Sequence, residues 1–243
     1  TYVLLSDQDS TLAPNMVEEL LDCFEEPPLP GRPTRLSLLQ PNDGEAMACF
    51  PSSAVDGPVA AVGPVPLDGR GGDVGNALVY SFTKWGAIRT RVPQRGEALA
   101  VPFVLASGCL ISMSALDDVG PMNEALFIDH VDLAWCLRAV EKGYRILVSG
   151  NARIYHSLGD EVAQVPGRKK PVHVHSPIRN YYMMRNTLLL QSASFLPKRW
   201  KQRYLWWMTK YMGYYLLTPG RTTRVVPFSR ALRDGLRGVG RQY

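Results

Sequence analysis

Between Phe127 and Gly143 the chain reads F-I-D-H-V-D-L-A-W-C-L-R-A-V-E-K-G, and apolar residues recur at Leu133, Cys136, Leu137 and Val140. That i, i+3, i+4, i+7 spacing predicts an amphipathic helix of about three turns, stopped at Gly143. Asp129 and Asp132 fall at its opening turn, where unpaired backbone N–H groups and the positive dipole end favour a carboxylate. Upstream, the pattern predicts a short buried strand over Thr1 to Leu5 and a helix from Pro14 through Val17, Leu20 and Leu21, ending before Pro27 and Pro28. Arg35 to Leu39 is a further strand candidate. Pro41 to Gly75 reads as loop around a short A-A-V-G-P-V segment at Ala60 to Val65. Ala77 to Phe82 and Ala87 to Val92 alternate like a hairpin pair. Val101 to Ala106 and Cys109 to Met113 flank Ser107-Gly108, and Ala115 to Val119 gives a short helical turn. Two strands, Tyr144 to Val148 and Ala152 to His156, follow the central helix.

Past Gly159 the pattern changes. Val165 to Ser176 is basic and Pro-containing, as in a mobile loop, and a helix is expected from Arg179 to about Leu190. A long helix from Lys198 to Leu217 carries Trp200, Tyr204, Trp207, Tyr211 and Tyr215 at three- and four-residue spacing, with Arg199, Arg203 and Lys210 flanking them. An aromatic face edged by Arg and Lys describes a helix lying in a membrane interface, and equally a helix packed on the body by the same residues. Val226 to Leu236 repeats the pattern more weakly.

Charge sharpens this division. The net charge is +5, yet residues 1–165 hold 21 acids against 11 Lys plus Arg, whereas residues 166–243 hold one acid, Asp234, against 16. Such a split points to an acidic or neutral catalytic body over 1–165 and a basic tail, 166–243, that meets something anionic. With 243 residues, 46% of them hydrophobic, the chain is long enough for one well-buried core and one appended element. Cys23, Cys49, Cys109 and Cys136 lack C-x-x-C spacing and read as reduced core residues of an intracellular protein. No signal peptide is visible, and no apolar run approaches the ~18 residues of a spanning helix.

The candidate chemistry begins at Asp7 and Asp9, a D-x-D at the end of the first strand. Alternation aims both side chains to one side, where two carboxylates suit a hard divalent cation, although a single D-x-D is a weak signal by itself. An acid pair, then the helix-start acids and then His156, in that order, resembles the inverting family 2 glycosyltransferases. The wording F-I-D-x-V-D-x-x-W-C-L-R and the R-x-Y-Y-x-x-R-N stretch at Arg179, Tyr182, Arg185 and Asn186 are most similar to their bacterial rhamnosyltransferase branch.

The resemblance implies a nucleotide-diphospho-sugar transferase fold (GT-A, Rossmann-like) without its usual first two or three strands, so that the chain is expected to be a fragment or to take those strands from elsewhere. It implies Mg2+ or Mn2+ on Asp9, Asp7 and His156, with Asp9 the firmer ligand, and Asp132 as the base that takes the acceptor's proton. Arg179 and Arg185 would clamp the donor diphosphate, or else meet lipid head groups. Asp129, Ser107, Gly108 and Trp135 would contact the acceptor, although Ser107-Gly108 reads as well as a plain strand bend. Ala134 stands where the family pattern carries a second acid, which puts acceptor contacts in doubt.

Trp200, Tyr204, Trp207 and Tyr211 would face the membrane. The implied partners are a nucleotide-sugar, dTDP-L-rhamnose, a polyprenyl-diphosphate-linked glycan and an anionic membrane surface, with no nucleic acid. The implied location is the cytoplasm, at the inner face of the cell membrane. The competing reading is a non-catalytic module that uses the basic aromatic helices to bind lipid or nucleic acid.

Overall fold

The computed structural model describes residues 1–24, 37–39, 56–68, 77, 79–84, 86–156, 161–163, 172–216 and 221–240. The stretch Arg168 to Lys170 and most of Pro41 to Gly75 lie outside them. The chain forms two compact units, one of residues 1–122 and 135–157, the other of residues 123–134 and 158–243.

The first unit is built on a mixed sheet. Its strands are β1 (Tyr2–Leu4), β2 (Ser10–Leu12), β3 (Ser37–Leu39), β4 (Val59–Asp68), β7 (Glu97–Ala100), β8 (Leu110–Ser112) and β9 (Arg145–His156). They run in the order β1-β8-β4-β9-β7-β3, with β2 added on β9. β4 is parallel to β9 and β3 to β7, while β1, β4 and β8 pair antiparallel. A separate antiparallel pair, β5 (Tyr80–Thr83) and β6 (Gly86–Arg89), matches the hairpin that the alternation predicts. Helices α1 (Met16–Leu21) and α2 (Met113–Val119) complete the α/β arrangement. Met16 and Leu20 of α1 pack with Val62, Leu110, Leu147 and Ile154 of the sheet, so the periodicity of α1 is a core face. Cys23, Cys109 and Cys136 are free thiols, and burial pushes that of Cys23 up to about 11.

Two sequence expectations change here. The A-A-V-G-P-V segment is the middle of the ten-residue strand β4 and is fully buried, not an island in loop. Pro64 and Pro66 stand within this strand, although a proline cannot donate to a ladder. They lie beyond Val62, where pairing with β8 ends, and beside a register shift against β9, so little ladder is forfeited. Likewise, the two strands expected after the central helix are one strand, β9, interrupted by a bulge: Pro64 faces Ser149 and Val65 faces Arg153. Before the bulge β9 pairs with β7, and after it with β2.

The second unit holds α4 (Pro177–Leu189), α5 (Lys198–Leu216), α6 (Arg221–Leu236) and a small antiparallel pair, β10 (Glu161–Ala163) with β11 (Val172–Val174). Pro177 occupies the first position of α4, and the Ser176 hydroxyl accepts the Arg179 N–H, a normal helix start. Tyr181, Tyr182, Met184, Met208, Tyr215, Phe228 and Ala231 form its core. The helix α3 (Val131–Glu141) begins in this unit and continues into the first.

Candidate active site

In the first unit, Asp7 and Asp9 sit exposed on the short connection between β1 and β2. Several bonds fix that connection. Gly108 N–H donates to the Leu5 carbonyl at 2.8 Å, and Leu5 N–H to the Cys109 carbonyl at 2.9 Å. The Ser107 hydroxyl meets the Ser10 hydroxyl at 2.5 Å and accepts the Asp7 N–H at 3.5 Å.

The sequence placed Ser107 and Gly108 against the acceptor, and their neighbours give a different reason for them. Ser107 is buried beneath the acid loop. Gly108 has φ +76°, and a Cβ there would stand 2.7 Å from Ile154 Cδ1 and 2.9 Å from Pro64 Cγ. Only glycine combines that backbone with that packing.

The β2–β9 ladder places His156 opposite Ser10, one residue from Asp9, and β4 places Asp68 opposite His156 from its other side. Thus the backbone register gathers Asp9, His156 and Asp68 at one end of the sheet. Asp68 escaped the sequence reading because nothing before the structure joined Ala60–Val65 to a strand reaching that far.

In the second unit, the carboxylates lie on a strained stretch leading into α3. Phe127, Asp129 and His130 have φ of 60°, 61° and 63°, in the left-handed region that costs a non-glycine residue ~1–3 kcal/mol. The His130 carbonyl accepts the Ala134 N–H at 2.9 Å and so opens the helix at Val131, which leaves Asp129 ahead of it and Asp132 in its first turn. Asp132 is the second residue of α3, half-buried, its Oδ1 accepting the Leu133 N–H at 2.8 Å.

α4 supports this stretch. Asn186 Nδ2 lies 2.9 Å from the Leu126 carbonyl, 2.8 Å from that of Ile128 and 2.9 Å from that of Asp129. Arg185 Nη2 donates to the Ala125 and Leu126 carbonyls at 2.8 and 3.0 Å, and its Nε and Nη2 reach Asn186 Oδ1. The guanidinium also stacks over Tyr182, 4.8 Å from the ring centre. Arg179 grips both oxygens of Asp129 at 3.0–3.2 Å.

These contacts revise two roles. Arg185 is 0% exposed, and an arginine that buried must spend its donors on internal carbonyls, so it presents nothing to a diphosphate. The Arg179 fork is directed to Asp129, which also makes Asp129 a partner of α4 before it is an acceptor contact.

No family model matches the chain. It is 37% identical over 93 residues to the dTDP-rhamnosyl transferase RfbF of Shigella flexneri, a match covering 38% of this chain and 31% of that protein. Part of this chain is similar to a rhamnosyl transferase. The matched stretch spans less than a third of the relative's length.

The remaining predicted residues divide by burial. Trp135 is 1% exposed, with its Nε1 donating to the Gly120 carbonyl at 2.9 Å, so it is a core anchor of α3 and not an acceptor platform. Trp200 is 0% exposed, and the Tyr211 hydroxyl accepts from Asn180 Nδ2 at 2.6 Å and donates to Met183 Sδ. Trp200 therefore cannot face a membrane, and Tyr211 is half-buried with its hydroxyl turned inward. Tyr204 is half-buried, its ring 6.0 Å from that of His130, whereas Trp207 is 38% exposed. The exposed face of α5 instead carries Trp206, at 66%, and α6 exposes Val225, Val226 and Leu236. No described helix is long and apolar enough to cross a membrane. The spacing signal was right about amphipathicity and misassigned the face, since the aromatics Trp200, Tyr211 and Tyr215 form the inward stripe.

His130 was missed altogether. Loss of water around its imidazole pulls it down to about 4, with the Asp129 charge acting the other way. A histidine lowered on folding binds fewer protons when folded than when unfolded, so its stabilising effect is complete above pH ~6.5 and is lost as pH falls towards 4. At most ~3 kcal/mol is involved. Denaturant unfolding at pH 7 and pH 4.5 should show a larger loss for the native protein than for His130→Gln; equal losses would remove His130 as the cause.

Proposed function

We propose that the chain is part of a metal-dependent inverting glycosyltransferase with the GT-A fold. In this reading it moves L-rhamnose from dTDP-L-rhamnose to a hydroxyl of a lipid-linked cell-envelope glycan at the cytoplasmic face of a membrane. The observation that carries the reading is the 37% identity, over 93 residues, to a dTDP-rhamnosyl transferase. The paired acids on the β1–β2 connection and the carboxylate opening α3 agree with it.

The donor set suits Mg2+ or Mn2+. Exposed carboxylates on a connection whose backbone is tied to Ser107 and Gly108 are hard oxygen ligands. Asp9 and Asp7 would hold the ion with His156, and a cation bound there would offset charge on the leaving diphosphate. Asp132 would take the proton of the acceptor hydroxyl as that oxygen attacks the anomeric carbon. The C1–O bond to the diphosphate breaks on the opposite face, and its electron pair leaves with the nucleotide. In this reading one base and one cation suffice for inversion. For the membrane, the exposed Trp206, Trp207, Val225, Val226 and Leu236 lie on helices that also carry Arg199, Arg203, Lys210 and Arg230, the combination that seats a helix among anionic head groups.

Thermal unfolding with Mn2+, with dTDP and with both together tests the reading. Joint stabilisation exceeding the two separate shifts is expected, because a nucleotide diphosphate completes the ion's coordination. No joint effect, together with binding to anionic vesicles that ignores both ligands, would favour a non-catalytic membrane module.

A further inference from the structure

We propose that Arg185 and Asn186 are positioning residues, a lock on the carbonyls of residues 125–129 that holds Phe127, Asp129 and His130 at positive φ and thereby aims Asp132. The inference rests on the reading of Asp132 as the base. Three observations meet here. Phe127, Asp129 and His130 all have φ near +60°, a conformation that side-chain-bearing residues leave unless other contacts over-determine it. The carbonyls of Leu126, Ile128 and Asp129 converge on a single group, Asn186 Nδ2, at 2.8–2.9 Å. Arg185, fully buried, bonds the carbonyls of Ala125 and Leu126 while also meeting Asn186 Oδ1, so the amide is itself held in orientation.

Spacing on α4 explains why these residues act on one stretch. Arg179 and Asn186 are seven apart, two turns of one helical face, and they meet the Asp129 side chain and the carbonyls around it. Arg185, next to Asn186, reaches the carbonyls of the preceding 3₁₀ turn, Glu124–Leu126. Four residues of α4 thus read as one support: Tyr182 lies under the Arg185 guanidinium and packs at 5.1 Å against the ring of Phe127. An arginine and an asparagine used this way cannot also grip a donor, since their donors end on the protein's own carbonyls.

The test compares Asn186→Ala and Arg185→Lys with the native protein in hydrogen exchange and in steady-state kinetics. A lock predicts amide exchange over residues 127–131 at least ~10-fold faster in Asn186→Ala, a readout that needs no activity. It also predicts kcat lower by ~10- to 100-fold with the donor KM within ~2-fold in both variants, since misplacing a base costs turnover and not donor affinity. Lysine retains a charge for phosphate yet cannot reproduce the fork, so loss of kcat in Arg185→Lys separates the two roles.

Phe127→Gly placed in the Asn186→Ala background should recover part of the lost kcat, because glycine adopts the left-handed conformation without support. A donor KM raised ~10-fold or more with kcat kept, or unchanged exchange over 127–131, would overturn the lock. Should the native protein transfer no sugar, the glycosyltransferase reading fails by itself, and the exchange measurement still decides whether the lock exists.

Discussion

Asp132→Asn should lower kcat for sugar transfer by at least ~10³-fold while leaving stabilisation by Mn2+ plus dTDP unchanged. A positioned general base contributes ~10²–10⁴-fold, and asparagine keeps the shape and the acceptor oxygen but cannot take a proton. Asp132 occupies the second position of α3, where the positive end of the helix favours the ionised carboxylate, and its Oδ1 already accepts the Leu133 N–H. Asparagine can satisfy the same N–H, so folding should be little affected and the loss should lie in chemistry. Asp129→Asn is the informative comparison. It removes the charge from a pair with Arg179 that is 12% exposed on the Asp129 side, so it should cost stability and at most ~10-fold in kcat through displacement of the loop. Turnover near the native value in Asp132→Asn would take the base role from this residue, and the larger kcat loss in Asp129→Asn would give it to its neighbour.

Two helices of the second unit, α4 and α5, were legible because each starts at or just after a proline, whereas α6 was seen only from Val226 on, its start at Arg221 being missed and Pro227 lying inside it. Pro177 starts α4, Lys198 follows Pro197 into α5, and the periodic apolar residues set their length. The sheet of the first unit was legible only in pieces. β7 was not predicted, since E-A-L-A is short and has no alternation, and of β4 only the short Ala60–Val65 segment stood out from a stretch rich in Pro, Gly and Asp.

The candidate site shows the same division. Asp7 and Asp9 could be found from their place after an apolar strand, and Asp132 from its place at a helix start. The roles of Arg185 and Asn186 could not, because a guanidinium meant for phosphate and one meant for buried carbonyls have the same residue type. Only the bonds to Ala125 and Leu126 and the complete burial distinguish them. For the same reason the face of α5 was misassigned: Trp200 and Trp206 are chemically alike, and packing alone decides which is inside.

Gly150→Ala should be among the most damaging substitutions in the chain, destabilising it by ~4 kcal/mol or more, the range reserved for steric conflict with fixed backbone. A Cβ at Gly150 would stand 1.9 Å from the Gln94 carbonyl oxygen and 2.8 Å from that of Glu97. Neither can retreat, since the 94–97 turn is closed by Gln94 N–H to Glu97 Oε2 at 2.8 Å and tied to β9 through Gly96 N–H to Asn151 Oδ1 at 2.8 Å. Gly213 on the exposed side of α5 is the control. Nothing lies within 4 Å of its added Cβ, so Gly213→Ala should stabilise by up to ~1 kcal/mol through helix propensity. Chemical denaturation of the two variants checks both signs; a Gly150→Ala protein within ~1 kcal/mol of native would mean that the 94–97 turn yields. The consequence reaches the acids. Gly150 lies in the bulge where β9 exchanges β7 for β2 as its neighbour, and the β2 pairing is what sets His156 opposite Ser10 beside Asp9. Any folded Gly150→Ala protein should therefore lose joint stabilisation by Mn2+ and dTDP, although residue 150 carries no side chain that could touch either.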